Sequence, residues 1–163
     1  MPLIPAPVAA PTDRPLDGLA DAPPAVRPRL LLVERDAAVG VTLTKALCAY
    51  HEVEAVPDGL AAAFATRGTP PDLVIIDLYL PGTDNLTLIR AMRADPRTIG
   101  IPIIILTAPA HRELLLRCLS AGASNFLLKP FNVAELLMCV RIELRLRDPL
   151  AETSLTPPAF TNP

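Results

Sequence analysis

The chain has 163 residues, 51% of them hydrophobic, with a mean hydropathy of +0.39 and a formal net charge of −2. That length suits one ordinary domain, and that apolar content rules out disorder of the whole chain. The weak charge gives no field that would gather nucleic acid or an anionic membrane, Trp is absent, and no apolar run reaches the ~18 residues of a membrane span.

Eight of the 20 prolines fall in residues 1–29 and four in residues 148–163, which leaves eight for the 118 residues between. Residues 1–28 therefore read as a Pro/Ala-rich disordered arm, 29–147 as the domain, and 148–163 as a Pro-containing disordered tail. The opening MPLIPAPVAAP has no basic n-region and is broken by prolines, so a signal peptide is not expected. Cys48, Cys118 and Cys139 are widely spaced and set in apolar helical patterns. They read as small core residues in a reducing cytoplasm rather than disulfide or zinc ligands.

Leu30–Val33 is a short continuous apolar run, the mark of a strand buried on both faces. Asp36 precedes a helical stripe of Val39, Leu43, Ala46, Leu47 and Tyr50. Glu52–Val56 reads as a second strand, and Asp58 as the cap of a helix carrying Leu60, Ala63 and Phe64. Leu73–Ile76 is a third strand ending at Asp77, followed by a Pro81-Gly82 loop and a helix through Leu86, Ile89, Ala91 and Met92 that stops at Asp95-Pro96. Ile103–Leu106 is the fourth strand, Arg112–Ala121 a helix stopped by Gly122, and Phe126–Leu128 the fifth strand. Asn132 and Glu135 form a capping box before a closing helix whose stripe is Val133, Leu136, Leu137, Val140 and Leu144.

Five strands alternating with five helices require a parallel sheet covered on both faces, and a closed barrel needs eight such units. The expected fold is a flavodoxin-like (βα)5 doubly wound α/β sheet, order 2-1-3-4-5, whose chemistry sits at the carboxyl ends of the strands. Those ends carry Glu34-Arg35-Asp36, Asp77, Thr107 and Lys129. No His or Cys stands among them for a nucleophilic triad, and no Gly-rich phosphate loop follows the first strand. Lys129 is one of two lysines against 13 arginines, which suits a role for a compact ammonium that a planar guanidinium could not fill.

The segments LLLVERD, DLVIIDLYLPG, IPIIILTA and AGASNFLLKPF resemble the receiver domain of bacterial two-component response regulators, in order and spacing, over about residues 29–147. The resemblance implies phosphoryl transfer from a histidine kinase or phosphotransfer protein onto Asp77, with Thr107 and Lys129 contacting the phosphoryl oxygens. Phe126 would be an aromatic switch, turning inward when Thr107 moves. Glu34, Asp77 and the Tyr79 carbonyl would hold Mg²⁺, and the Lys129–Pro130 bond would be cis. Asp36 is a doubtful ligand, since capping the first helix accounts for it. Any enzymatic activity would be autophosphotransfer and slow aspartyl-phosphate hydrolysis. An acyl phosphate chemistry fits these residue types on its own terms, because a carboxylate nucleophile needs cations and donors around the transferred oxygens.

One residue departs from the family pattern. The second member of the acidic pair is Arg35. At about 5 Å a guanidinium repels a divalent cation by roughly 7 kcal/mol at an effective dielectric of ~20. Either Arg35 turns outward and a weakened Mg²⁺ site survives, or Arg35 pairs with Asp77 or Glu34 and replaces the metal. The second case makes the domain a phosphorylation-independent receiver-like interaction module. A flavodoxin-like small-ligand binder lacks its phosphate loop. With only DPLAETSLTPPAFTNP after the domain, output is expected through a downstream protein partner or a homodimer using Leu114–Leu119 and the last helix. No nucleic-acid or membrane partner is expected, and Leu114-Leu115-Leu116 is more than one helix face can bury.

Overall fold

The computed structural model describes residues 27–79 and 85–147. The arm before residue 27, the tail after residue 147 and the Pro81-Gly82 loop lie outside the described residues. Five strands, β1 (Arg29–Val33), β2 (Glu52–Val56), β3 (Leu73–Asp77), β4 (Ile103–Thr107) and β5 (Asn125–Leu128), form one parallel sheet in the order β2-β1-β3-β4-β5. Between them run α1 (Ala37–Cys48), α2 (Gly59–Arg67), α3 (Asn85–Ala94), α4 (Arg112–Ser120) and α5 (Val133–Arg147), with a 3-10 turn at Pro109–His111 that the sequence pattern did not signal.

Alternation along each strand divides the core in two. Leu31, Val33, Val74, Ile76, Ile103 and Ile105 face α2, α3 and α4, while Leu30, Leu32, Leu73, Ile75, Ile104 and Leu106 face α1 and α5. β3 and β4 are buried throughout, as their unbroken apolar runs require. β2 is one of the two edges and carries the exposed Glu52 and Glu54, charges that discourage pairing with another chain.

The caps form as their residues dictate. Asp36 Oδ1 accepts from the amides of Ala38 and Val39, Asp58 Oδ1 from Ala61, and Asn132 and Glu135 exchange both capping-box bonds. Gly122 ends α4 with φ +115°, a conformation that favours glycine.

Four expectations need correction. In α2 the buried face is Gly59, Ala62 and Thr66, and Leu60 and Phe64 are exposed. Small residues let this short helix lie close to the sheet, and the large i, i+4 pair is left outside, where Arg67 stacks over the Phe64 ring. Tyr50 lies beyond the end of α1 and is exposed, as is Val39. Val133, at the first turn of α5, is also exposed. Cys118 and Cys139 are core residues, but Cys48 is exposed, because α1 turns Gly40, Leu43 and Leu47 inward.

Candidate phosphoryl-transfer site

The strand order reverses between β1 and β3, and a parallel sheet opens its crevice at the carboxyl end of that switch point. Glu34 follows β1 directly and Asp77 is the last residue of β3, so the two carboxyl groups stand beside each other. Lys129, just past β5, reaches across and its ammonium donates to Asp77 Oδ2. Asp77 Oδ1 accepts from the Tyr79 amide at 3.0 Å. Glu34 Oε1 accepts from the Asp36 amide at 2.8 Å, whereas the buried Oε2 has no hydrogen-bond partner. The crevice holds about 520 Å³, and its walls include Arg35, His111 and Tyr79.

The electrostatics follow from this packing. Burial pushes the Glu34 carboxyl up, and the adjoining Asp77 carboxylate adds to it, raising Glu34 from 4.5 to about 7. Burial also pushes Asp77 upward, but the Lys129 ammonium and the Tyr79 amide outweigh it and hold Asp77 below the usual carboxylate range. One carboxyl group thus stays ionised while its neighbour readily holds a proton.

The other expected site residues divide. Asp36 lines the crevice while capping α1. Tyr79 is exposed and its ring leans on His111, with centroids 5.6 Å apart. The Lys129–Pro130 bond is cis. Thr107 is buried at the end of β4, with its hydroxyl on the Ala108 carbonyl at 3.2 Å rather than on Asp77. Phe126 is 39% exposed, outside both core clusters. Arg35 is exposed, and among the described residues it forms no ion pair with Asp77 or Glu34. His111 was not anticipated, since a single His before a helix carries no periodic signal.

An unpartnered buried carboxylate oxygen beside a second carboxylate suits a hard divalent cation, so Glu34 and Asp77 fit Mg²⁺. Arg35 stands at the second position of the acidic pair, and among the described residues no group of three or more His, Cys, Asp or Glu side chains is arranged to hold a metal ion.

Residues 30–141 match the model of the response regulator receiver domain. The DNA-binding response regulator MtrA of Mycolicibacterium paratuberculosis is 37% identical over 124 residues, covering 76% of this chain and 54% of that protein. A response regulator structure from Chloroflexus aurantiacus superposes with a TM-score of 0.68 at 34% identity, covering 72% of this chain and 98% of that one. The chemotaxis response regulator CheY4 of Vibrio cholerae gives a TM-score of 0.67 at 25% identity, with the same coverage. The chain spans about half the length of the curated relatives it matches. No helix among the described residues is long and apolar enough to cross a membrane. The sheet order, the crevice at its switch point and these matches agree, and the chain belongs to the response regulator receiver domain family of two-component systems.

Proposed function

We propose that this domain accepts a phosphoryl group on Asp77 from the phosphohistidine of a kinase or phosphotransfer protein, the partners with which receiver domains interact. An Asp77 carboxylate oxygen attacks phosphorus, the P–N bond of the donor breaks, and an acyl phosphate forms. The contact between Lys129 and Asp77 carries this reading. It keeps the carboxylate ionised and places an ammonium where a transferred phosphoryl group needs positive charge. Lys129 then exchanges Asp77 Oδ2 for a phosphoryl oxygen, and the Thr107 hydroxyl leaves the Ala108 carbonyl to donate to another. Phe126, outward in this state, follows Thr107 inward.

Receiver domains bind Mg²⁺ at this acidic pocket. Glu34, Asp77 and the Tyr79 carbonyl would hold it, while Asp36 is engaged in capping α1. When bound it neutralises charge on the phosphoryl oxygens. Arg35 weakens this site without abolishing it, since its exposed side chain has room to stay in solvent. The reading in which Arg35 replaces the metal would require an ion pair with Asp77 or Glu34, and Asp77 is paired with Lys129 instead. The donor and target act in the cytoplasm. Output goes to a downstream protein or a second copy through the exposed Leu116 on α4 and Ile142 on α5.

The test is incubation with a phosphohistidine donor and Mg²⁺. Hydroxylamine-labile phosphate is expected on the native chain and none on Asp77→Asn. Equal labelling of both, or labelling of neither, overturns the assignment.

A further inference from the structure

A second concave surface, sharing no lining residue with the phosphoryl site, lies between α5 and the turn joining α1 to β2. This groove of about 570 Å³ is lined by Leu137, Met138, Leu144 and Tyr50 together with Arg141 and Arg145. Met138 is 58% and Tyr50 64% exposed, so apolar surface is left open there. Among the described residues Arg141 and Arg145 form no ion pair, and no Asp or Glu lines the groove. Its chemistry calls for an occupant that alternates carboxylates with aliphatic side chains.

The chain carries such a segment next to the groove. Asp13, Asp17 and Asp21 stand four residues apart with Leu16 and Leu19 between them, in a stretch opposed by Arg14 alone. The arm joins the domain at the same turn. Arg27 donates to the Cys48 carbonyl at 3.3 Å, and the Glu52 amide donates to the Pro28 carbonyl at 3.0 Å, on either side of Tyr50 and His51. Asp21 is six residues before Arg27, a reach of at most ~20 Å of extended chain. The groove runs along α5 from Ala134 to Arg145, about 16 Å of helix, so residues 13–21 can span it. The tail after residue 147 is less well placed and less acidic. Leu146 and Arg147 line a different pocket against Ile99–Pro102, and Arg147 is tied to Asp72.

We infer that residues Asp13–Asp21 of the amino-terminal arm dock in the α1–α5 groove, with their aspartates on Arg141 and Arg145 and their leucines on Met138, Leu137 and Tyr50. The arm is then an internal ligand of α5 rather than a bare tether. It competes with any protein that approaches this face, and high salt releases it. Its effective concentration is set by the short connection to Arg27.

Nuclear magnetic resonance on the full chain tests this, with a nitroxide at Leu16→Cys in a Cys48→Ser background. Amides from Ala134 to Arg145 are expected to broaden while those around Leu116 do not. In the Arg141→Glu/Arg145→Glu variant, whose folding is checked by its unchanged strand amide shifts, the docked-to-free ratio should fall about tenfold. Absence of broadening on α5 overturns the proposal. So does broadening that appears only between a labelled chain and a separate isotope-labelled one, which would make a second copy the occupant. Broadening that persists undiminished in the double variant also overturns it.

Discussion

Lys129 and Asp77, 52 residues apart in sequence and anchored at the ends of β5 and β3, share a direct ammonium–carboxylate contact. Asp77 is buried and its other oxygen is held by the Tyr79 amide, so each carboxylate oxygen has one partner and the group still lines the crevice.

Removing the cation should harm both stability and reaction. Lys129→Ala leaves a buried carboxylate without its charge partner, at a cost of about 1–3 kcal/mol, reduced from the fully buried case because Lys129 is partly in solvent. Urea denaturation at pH 7 without divalent cations measures that loss. Labelling by a phosphodonor should fall by on the order of a hundredfold. Lys129→Arg should restore stability better than labelling.

Glu34 sets a pH dependence opposite to that of an ordinary carboxylate. Its folded-state value of about 7 lies above the unfolded 4.5, so between these values the native state holds a proton that the unfolded chain has lost. Stability should therefore fall as pH rises from about 4.5 to 7, by about 1–2 kcal/mol after screening at the crevice mouth. Asp77 is shifted the other way, and its contribution is lost only below the ordinary Asp range as pH falls through its depressed folded value. Thermal melts in metal-free buffer should show a maximum near pH 5, and Glu34→Gln should flatten the decline above it.

Much of this arrangement was legible in the sequence because it depends on chain periodicity. Unbroken runs such as Leu73–Ile76 fixed the buried strands, and the carboxyl ends of those strands named Glu34, Asp77, Thr107 and Lys129. The capping pairs at Asp36, Asp58 and Asn132 were local and therefore readable. The face of α2 was not, since an inward face of Gly59, Ala62 and Thr66 has less hydrophobicity than the outward Leu60 and Phe64, and close packing rather than apolar count decided it. The rotamer of Thr107, the outward Phe126 and the His111–Tyr79 contact depend on side-chain torsions, on which periodicity is silent.

Arg93 explains one glycine. Its guanidinium donates to the carbonyls of Gly122, Ile101, Ile99 and Thr98 at 2.9–3.3 Å, joining the α3–β4 and α4–β5 connections. A Cβ on Gly122 would stand 2.8 Å from Arg93 Cγ in a positive-φ conformation. Gly122→Ala should therefore lose about 2 kcal/mol by denaturant titration, and less than that in an Arg93→Ala background, where the clash is gone.

Mg²⁺ affinity isolates Arg35. Calorimetric titration at pH 8 should give binding at least about tenfold tighter for Arg35→Asp than for the native chain, because a repelling charge becomes a ligand. In both proteins binding should weaken toward pH 5.5, as Glu34 takes up its proton.

Intact-mass spectrometry after incubation with a small phosphodonor, with and without Mg²⁺, decides whether Asp77 is a working acceptor beside Arg35. One phosphoryl group on the native chain is expected, dependent on Mg²⁺, absent in Asp77→Asn and faster in Arg35→Asp. No phosphoryl group on the native chain, with labelling gained only in Arg35→Asp, would contradict it and make this a receiver domain that signals without phosphorylation.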